Sequence, residues 1–509
     1  MAEPLTAGKP WTPRYQRRTS KTSHVIAASL RRQILSGELA VGQRLPSEAE
    51  LTHVFEISRE TLREALRVLE SESLVEIRRG RGGGAVVRQP DLSSVGRYVA
   101  LLLQVDHATL GHLEEARSVI EPPAAARAAD RCGPADLDRL VALHDQERAA
   151  EADPFAFTAA VVSFDQVVTE LAGNRSLGVI AGVLRHIHAG QVYAAAGAPD
   201  RAGASRAARR VIVAHSAVLE ALRRRDGALA REAWSDYLSG GRGDGQRLID
   251  VVPLWRAQAS RADGKGAPRA AAEVATEIRS RIATGRLRDG DRLPSLADLA
   301  AEFGISRPTL REGLRILEME LLLDLRAGDR GGAIVRRPVP KVAAQLAGTV
   351  LQAREATLAD FSRALRLFEP AMMELSAARI GPGSLSTLRT LEADLAAQVD
   401  DTPRFVQTWR RAATVAFVAG ENPVLAVIAQ TLQWVLAGAE AALTVGALSL
   451  PWVGTTNRNA HRLFAELIAS FEARDAAKAA GVWDQFLTAS APFVESSDLA
   501  QRLIVDLME

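Results

Sequence analysis

The stretch Ile57-Ser-Arg-Glu-Thr-Leu-Arg-Glu64 returns almost unchanged as Ile305-Ser-Arg-Pro-Thr-Leu-Arg-Glu312, 248 residues later in a chain of 509. The same spacing separates Arg44-Leu-Pro-Ser47 from Arg292-Leu-Pro-Ser295. It also separates Glu121-Pro122 from Glu369-Pro370. A period of this length is that of a whole protein rather than of a solenoid repeat. The sequence therefore predicts one two-domain arrangement written twice in a single chain.

Composition indicates a globular, mainly α-helical protein. Apolar residues make up 47% of the chain and charged residues 24%, whereas aromatic residues are only 5%. Cores built on Ala, Leu, Val and Ile favour packed helices over β-sandwiches. The net charge of +2 does not by itself indicate nucleic-acid binding, so any such argument must be local.

The expected location is cytoplasmic. The single cysteine, Cys132, excludes an internal disulfide, and no apolar run approaches the ~20 residues that a membrane-spanning helix needs. No continuous apolar segment follows the first basic residues, so we expect no secretory signal and no membrane partner.

The smaller repeated segment predicts a winged helix-turn-helix. Apolar residues recur at helical spacing at Ile26, Leu30 and Ile34. Ser47 and Glu50 have the spacing of a capping box that opens a second helix, and Ser58 is a cap for a third. A short alternating strand, a glycine-rich turn and a returning strand follow in each copy, as in a wing.

The third helix and the wing carry the chemistry that suits DNA. A helix fits the major groove, and its N-terminal residues reach base edges there. Arginines recur along one face of that helix in both copies, and Arg79, Arg81 and Arg330 lie in the glycine-rich wings. Wing arginines can contact phosphates or the minor groove. The alternative for such an arginine stripe is a solvated helix face.

Both small segments resemble the DNA-binding domain of the GntR superfamily of bacterial transcription regulators. The resemblance rests on Arg44-Leu-Pro-Ser47, Ser58-Arg59, Thr61, Arg63-Glu-Ala-Leu66 and the glycine-rich wing. It implies DNA contacts, and we add Glu60 and the wing arginines. The predicted DNA-binding residues are Ser58, Arg59, Glu60, Thr61, Arg63, Arg79, Arg81, Ser306, Arg307, Thr309, Arg311 and Arg330.

The two copies differ at one position that bears on base recognition. Glu60 of the first copy is replaced by Pro308 in the second. A glutamate beside DNA either repels phosphate or accepts a hydrogen bond from cytosine N4, whereas a proline in the first helical turn does neither. We hypothesise a cytosine preference under the first copy alone, so that the two half-sites are not identical.

The longer segments are rich in Ala and Leu at helical spacing and predict an antiparallel bundle of six or seven helices per copy. The patterns around Arg117, Phe164 and His215 resemble the FCD ligand-binding domain, which defines the FadR subfamily of GntR regulators. The resemblance is weaker in the second copy. It implies a small-molecule effector, of which an organic acid is the expected class.

Many FCD domains hold a divalent metal through one aspartate and three histidines, and this sequence departs from that set. The four corresponding residues are Val161, Asp165, His215 and Tyr237 in the first copy. They are Trp409, Ala413, Phe464 and Phe486 in the second, with His461 one turn from the expected place. We therefore predict no metal and no cofactor. His186 and His188 would restore a site only if their helix turned them inward.

A metal-free effector site is predicted from Arg117, Asp165, His215 and Tyr237, which could converge in an apolar bundle. The alternative is a satisfied hydrogen-bond network or solvent-facing side chains. The aromatic residues of the second copy predict a filled core. We hypothesise that the first bundle binds an effector and that the second bundle has a mainly structural, supporting role.

The predicted fold class is mainly α: two winged helix-turn-helix domains, each followed by an all-α FCD-like bundle. The predicted ranges are a basic arm at 1–20, the first module at 21–90, the first bundle at 93–240, a linker at 241–267, the second module at 268–338 and the second bundle at 341–505. A short apolar patch in the linker, Ile249 to Trp255, is a candidate to dock on a domain.

The predicted function is a sequence-specific DNA-binding regulator, a repressor in the commoner case, acting as a single-chain pseudo-dimer on a near-palindromic operator. Two alternatives remain. The chain could pair with a second chain and present four DNA-binding modules, or it could be an architectural DNA-binding protein that responds to no effector. An enzyme is not predicted, because the sequence lacks a phosphate-binding loop, a Gly-x-Ser-x-Gly elbow and a paired-histidine zinc motif.

Overall fold

The computed structural model describes most of the chain between residues 22 and 495. The described ranges are 22–35, 37–71, 74–78, 84–90, 92–195, 201–240, 245–254, 267–325, 333–447 and 453–495. The predicted basic arm and the wing residues Arg79, Arg81 and Arg330 lie outside them. The chain divides into two compact units, Met1–Ser94 and Val95–Glu509.

The first unit contains three helices and a two-stranded sheet, as predicted for the first module. Its elements are α1 Thr22–Leu35, α2 Glu48–Phe55, α3 Arg59–Ser71, β1 Val75–Arg78 and β2 Gly84–Val87. The strands pair antiparallel, from Val75 opposite Val87 to Arg78 opposite Gly84. Ser47 and Glu50 form the predicted capping box at the start of α2.

The second unit includes the second module. Its elements are α12 Ala267–Ala283, α13 Leu296–Glu302, α14 Arg307–Met319, β3 Leu323–Leu325 and β4 Ala333–Val335. Leu323 pairs with Val335 across its sheet. An isolated bridge joins Arg292 to Ile334, and its counterpart 248 residues earlier in the first unit joins Arg44 to Val86.

Two helical bundles account for most of the remaining described chain. The first contains α4 Leu92–Val105, α5 Leu110–Ile120, α6 Pro122–Arg131, α7 Pro134–Ala149, α8 Pro154–Leu171, α9 Arg175–Ala195, α10 Arg201–Arg224 and α11 Gly227–Gly240. The second contains α15 Pro340–Ala353, α16 Leu358–Arg379, α17 Pro382–Ala397, α18 Thr402–Val418, α19 Pro423–Ala447, α20 Val453–Glu472 and α21 Ala476–Glu495. No helix in the described ranges is long and apolar enough to cross a membrane.

The first bundle has eight described helices, one more than the upper prediction, because a helix is broken at Glu121. Pro122 and Pro123 follow each other there, and neither can donate a backbone N–H. The corresponding segment of the second bundle has a single proline, Pro370, and continues as one helix, α16. One proline more therefore accounts for the extra helix.

The turns repeat as faithfully as the helices. His107 and Glu355 have φ of 54° and 53° at positions 248 apart, although only a few per cent of non-glycine residues adopt a positive φ. Arg225 and Arg474, which are 249 apart, share a φ of 53°. The duplication is thus visible in backbone geometry and extends through both bundles.

Part of the predicted linker packs on the first bundle. Residues 245–254, which we call the strap, run antiparallel to the turn before α5, where Leu248 bridges Thr109. Ile249 and Val251 of the strap are buried. The apolar patch singled out in the sequence therefore docks, at least over its described part.

The two bundles contact each other through reciprocal hydrogen bonds. Asn174 Nδ2 donates to the Asp360 carbonyl at 2.9 Å, and Asn422 Nδ2 donates to the His112 carbonyl at 3.0 Å. Both donors and both acceptors are 248 residues apart. Reciprocity of this kind, in which one residue meets a second and their counterparts meet in turn, is the property of an isologous two-fold interface.

Candidate functional site

The N-terminal turn of the third helix is built identically in both modules. Ser58 Oγ accepts from the Thr61 backbone N–H at 3.1 Å and lies 2.8 Å from Thr61 Oγ1. Ser306 and Thr309 repeat this cap, with 2.8 Å between their hydroxyl oxygens. The two serines are exposed, so each helix presents its N-terminal end and capping hydroxyls to solvent. That end of a helix favours a phosphate.

The predicted arginines on these helices are exposed, but their surroundings differ between the copies. Arg63 forms an ion pair with Glu48 of α2, with Nη2 3.0 Å from Oε2, and this carboxylate raises the Arg63 pKa. Leu296 occupies the position of Glu48 in the second module. No ion pair is described for Arg311, which is therefore the more available cation of the two.

The remaining predicted DNA-binding residues fall into three groups. Arg59, Glu60 and Arg307 are exposed at the start of their helices, as contacts with DNA require. Thr61 and Thr309 are half-buried under the caps. Arg79, Arg81 and Arg330 lie outside the described residues.

The four residues predicted to bind an effector meet in the core of the first bundle. Arg117 Nη2 lies 2.9 Å from Asp165 Oδ2, and the Tyr237 hydroxyl donates to the same oxygen at 3.0 Å. His215 Nε2 lies 3.4 Å from the other carboxylate oxygen, Oδ1. Helices α5, α8, α10 and α11 supply one residue each, so the centre links four elements.

A second carboxylate holds the other side of His215. Glu147 Oε1 lies 2.8 Å from His215 Nδ1, and Glu147 Oε2 lies 2.9 Å from His144 Nδ1. The His215 ring also stacks on Phe164, with 4.2 Å between ring centroids. The imidazole is thus fixed in orientation between two carboxylates.

Arg117 is anchored at its other edge by Glu121. The pair is bidentate, with 2.8 Å from Nε to Oε1 and 3.1 Å from Nη2 to Oε2. Trp234 Nε1 donates to Glu121 Oε2 at 3.2 Å. All of these groups are buried, and a buried charge is tolerated only when it is paired and hydrogen-bonded in this way.

The ionisation states follow from these contacts. Burial alone would raise the Asp165 pKa, but the close contact with His215 and the charge of Arg117 outweigh it and lower that pKa. Burial would likewise lower the His215 pKa, but Asp165 and Glu147 raise it to about 9. His215 is therefore a cation at neutral pH.

Three buried polar atoms around this centre make no hydrogen bond to another described group. They are Asp165 Oδ1, His215 Nε2 and Arg185 Nη1. The first two face each other at 3.4 Å as an ion pair, so Arg185 Nη1 is the one of the three without a partner. Burial is the main cause that lowers the Arg185 pKa, although Glu121 and Asp165 act in the opposite direction. Leaving a buried polar group unpaired costs about 1–3 kcal/mol.

A surface cleft of about 480 Å³ lies between α10 and α11, and its lining residues differ from those of the polar centre. Arg209, Arg210, Val213 and Asp236 line it, and none of the four predicted effector residues does. The predicted effector residues are instead paired with one another in the core.

The donor set does not fit the metal that FCD domains often hold. The Arg117 guanidinium pairs with Asp165, where a metal ion would otherwise bind the carboxylate. His215 is protonated between two carboxylates, whereas a histidine that ligates a metal must be neutral. Burial and the charge of Arg117 lower the His188 pKa to about 3, so that ring is neutral. Within the described ranges, no three His, Cys, Asp or Glu residues are grouped to hold an ion.

The second bundle has an aromatic cluster in place of the polar centre. Trp409 packs on Phe486 and Phe464, with ring centroids 4.4 and 5.5 Å apart. Ala413 is buried beside them, and His461 pairs with Glu392 at 2.6 Å. The cluster fits the filled core predicted for this half.

One pair of the polar centre survives in both bundles. Glu369 and Trp483, the counterparts of Glu121 and Trp234, are 2.8 Å apart from Oε2 to Nε1. Leu365 replaces Arg117 here. Without the guanidinium, burial raises the Glu369 pKa to about 7, although the Trp483 hydrogen bond acts in the opposite direction.

Sequence reasoning missed three members of the polar centre: Glu147, Arg185 and Glu121 in its role as the Arg117 partner. The recurrence of a glutamate and a tryptophan at matching positions of both halves was a usable signal for Glu121. Glu147 and Arg185 have no counterpart in the second half and carried no signal. Glu48 was missed because its relation to Arg63 depends on how α2 packs against α3.

Fold and site together define a DNA-binding transcription regulator with winged helix-turn-helix modules and all-α bundles. The sequence pattern of the bacterial regulatory proteins of the gntR family matches residues 22–84 and again 270–333. That of the FCD domain matches residues 112–240.

The chain belongs to the GntR family. An uncharacterized HTH-type transcriptional regulator of Mycobacterium tuberculosis is 30% identical over 203 residues, which are 40% of this chain and 81% of that protein. The HTH-type transcriptional repressor NanR of Cronobacter sakazakii is 31% identical over 157 residues, 30% of this chain and 60% of that one. The galactonate operon transcriptional repressor of Escherichia coli is 26% identical over 216 residues, 42% of this chain and 92% of that one.

Proposed function

We propose that this protein is a sequence-specific transcription repressor that acts as a single-chain pseudo-dimer on a near-palindromic operator. The observation that carries the proposal is the reciprocal pair of contacts between the bundles, Asn174 to Asp360 and Asn422 to His112. Two-fold symmetry in a regulator mirrors two-fold symmetry in its operator. Here that symmetry is built into one polypeptide.

Tethering changes how the regulator assembles. The two DNA-binding modules need no second chain to come together, because the linker supplies a high effective concentration. It also allows the modules to diverge, as Glu60 and Pro308 have. Two of the relatives are repressors by name, which supports repression over activation.

We propose further that the first bundle binds a small organic-acid effector without a metal or other cofactor. The buried Nη1 of Arg185, which has no hydrogen-bond partner, supports this, because the carboxylate of a ligand could pair with it. Such a ligand shifts DNA affinity only through its different affinities for two bundle arrangements. The second bundle, with its aromatic core, supports the fold.

The experiment is quantitative DNA binding by the full chain at several salt concentrations, after selection of a binding sequence from a random duplex library. We expect one chain per duplex, a near-palindromic site and affinity that falls steeply with salt. Analytical ultracentrifugation of the complex tests the stoichiometry. Two chains per site would replace the pseudo-dimer with the four-module alternative.

A thermal-shift screen with organic acids tests the effector and separates it from the architectural alternative. We expect at least one acid to raise the melting temperature of the wild-type chain but not of Arg117→Leu, which copies the second bundle. Trp409→Phe in the second bundle is the matched control and should keep the response. A chain that binds DNA and responds to no acid would be architectural.

A further inference from the structure

The start of helix α9 is held by a carboxylate of the opposite bundle. Arg175 is the first residue of α9, so its backbone N–H has no acceptor within that helix. It donates instead to Asp360 Oδ2 of α16 at 2.8 Å. Asp360 is buried, so the bond satisfies a carboxylate oxygen that has little access to water. The Arg175 guanidinium also pairs with Glu355 at 3.5 Å, but both side chains are exposed and this ion pair contributes little.

The equivalent contact of the two-fold interface has neither the donor nor the acceptor. The counterpart of Arg175 is Pro423, so α19 begins with a residue that has no N–H. The counterpart of Asp360 is His112. Its Nδ1 accepts from the Thr109 N–H at 3.1 Å, so the neutral ring carries its proton on Nε2 and can only donate there. The interface therefore contains this donor and this acceptor once, on opposite halves.

Pairing of like halves would separate the donor from its acceptor. Two second halves would set each buried Asp360 carboxylate against Pro423, which has no N–H to donate. Two first halves would set each Arg175 N–H against His112, whose ring offers it no acceptor. A buried polar group without a partner costs more than a hydrogen bond contributes, so both like pairings are disfavoured at this contact.

The strongest ion pair between the bundles does not select a partner in this way. Arg379 of α16 lies 2.6 Å from Glu115 of α5, and the two-fold matches this pair with Arg131 and Arg363. Exchange of two unlike pairs of halves for one pair of each like kind would conserve the number of Arg–Glu and Arg–Arg contacts. The preference for unlike halves therefore comes from the hydrogen bond at the start of α9.

We propose that the Arg175–Asp360 hydrogen bond, with Pro423 in place of a second donor, selects the partner of each half of the chain. A first half pairs with a second half, and a second copy of the same half is rejected. The inference rests on the proposed pseudo-dimer and deepens it. Every complex with DNA then presents one module of each kind, with Glu60 in one and Pro308 in the other.

The test lets the two halves choose their partners again. A specific protease site is inserted in the full chain between Gly264 and Lys265, outside the described ranges, and the folded protein is cut there. The cut protein is unfolded in urea and refolded. Native mass spectrometry then separates the unlike pair from the two like pairs by mass. We expect the wild-type sequence to return unlike pairs in an excess on the order of tenfold or more.

Pro423→Ala is the decisive variant, because it supplies an N–H at the start of α19 with little other change. Two second halves can then form the bond to Asp360 twice, so the ratio of like to unlike pairs should rise on the order of tenfold. Asp360→Ala should raise the ratio as well, because it removes both the bond and the carboxylate that like pairing leaves unpaired. Pro382→Ala, at the exposed first residue of α17, is the matched control and should leave the ratio unchanged.

Like pairs as abundant as unlike pairs in the refolded wild-type protein would overturn the proposal. So would a wild-type ratio in both Pro423→Ala and Asp360→Ala. Either result leaves the pseudo-dimer itself standing, since the stoichiometry of the intact chain on its operator decides that question separately. Circular dichroism after refolding identifies a variant that does not fold, and the other of the two variants then decides.

Discussion

At the scale of single residues, the first prediction concerns base recognition by Glu60. Substitution Glu60→Ala should relax the hypothesised cytosine preference at one half-site, since a carboxylate can accept a hydrogen bond from cytosine N4 and a methyl group cannot. Selection from a random duplex library measures this. Pro308→Ala in the second module is the matched control and should leave the selected sequence unchanged. If Glu60→Ala also leaves it unchanged, the carboxylate does not read a base.

The second prediction concerns competition for Arg63. Glu48 holds the Arg63 guanidinium at 3.0 Å, and a phosphate must displace that carboxylate before Arg63 can contact DNA. Glu48→Ala should therefore tighten DNA binding on the order of two- to fivefold at low salt, because an exposed ion pair is worth only ~0.2–1 kcal/mol. Competition titration with labelled operator measures the change.

The reciprocal substitution provides the control for Glu48. Leu296→Glu would place a carboxylate at the same position of the second module and should weaken binding through Arg311 by a similar factor. Both effects should shrink as salt rises, since exposed charges are screened. An unchanged affinity in Leu296→Glu would show that Arg311 does not contribute to DNA binding as Arg63 does.

The third prediction is a pH dependence of stability from His215. Its folded pKa of about 9 exceeds the ordinary value of 6.5, so the protonated imidazole stabilises the folded state. That contribution is fully present below about pH 6.5 and is lost as the pH rises through about 9. Chemical unfolding at pH 6 and pH 10 should show a larger loss of stability for wild type than for His215→Phe.

His53→Phe is the control for this pH effect, because His53 is exposed on α2. It should retain the wild-type difference in the free energy of unfolding between the two pH values. A His215→Phe variant with the full wild-type difference would mean that the Glu147 and Asp165 contacts do not hold the proton on His215.

At the scale of elements, local signals were sufficient for the modules but not for the bundle core. Caps at Ser47, Ser58 and Ser295 depend on residues three positions apart, so the sequence contains them in full. The break at Glu121 was not predicted, because both halves share the Glu-Pro sequence and only the first has a second proline, Pro123. The convergence of Arg117, Asp165, His215 and Tyr237 was predicted from the family resemblance.

Other members of the core were inaccessible for a physical reason. Glu147 meets His215 across 68 residues of sequence, and this contact exists only once α7 packs beside α10. No periodicity within a single helix reports which buried carboxylate a distant histidine will find. The pairing of the bundles through Asn174 and Asn422 was likewise invisible, although the repeat itself indicated that two equivalent surfaces exist.

The fourth prediction concerns helix α4, which connects the first bundle to the second module. Tyr98 is buried on α4, and its hydroxyl lies 3.3 Å from the Glu320 carbonyl and 3.4 Å from the Val339 N–H. Tyr98→Phe removes both bonds and retains the ring, so it should cost about 0.5–1.5 kcal/mol per hydrogen bond. Amide exchange near residues 320–323 and 339–341 should accelerate.

Tyr237→Phe is the matched control for Tyr98→Phe, because its hydroxyl bonds to Asp165 within the first bundle. It should leave exchange in the second module unchanged. Unchanged exchange in Tyr98→Phe would mean that this hydroxyl does not couple α4 to the second module.

At the scale of the whole molecule, the symmetry of the chain makes a prediction that neither half makes alone. The reciprocal bonds of Asn174 and Asn422 are equivalent, so Asn174→Ala and Asn422→Ala should each weaken the pairing of the bundles, and the effects should add in the double variant. If this pairing positions the two modules, the double variant should retain binding to a half-operator. Its preference for a full operator over a half-operator should fall on the order of tenfold, since each net hydrogen bond is worth about 1 kcal/mol.

The measurement is the ratio of the affinities for full and half operator duplexes at one salt concentration. Asn459→Ala is a matched asparagine control, because Asn459 pairs with Arg462 on its own helix and not across the bundles. A double variant that keeps the wild-type ratio would show that the tether alone positions the modules, and that the bundle interface has no part in reading the operator. A loss of affinity for half and full operators alike would instead place these asparagines in the stability of the individual bundles.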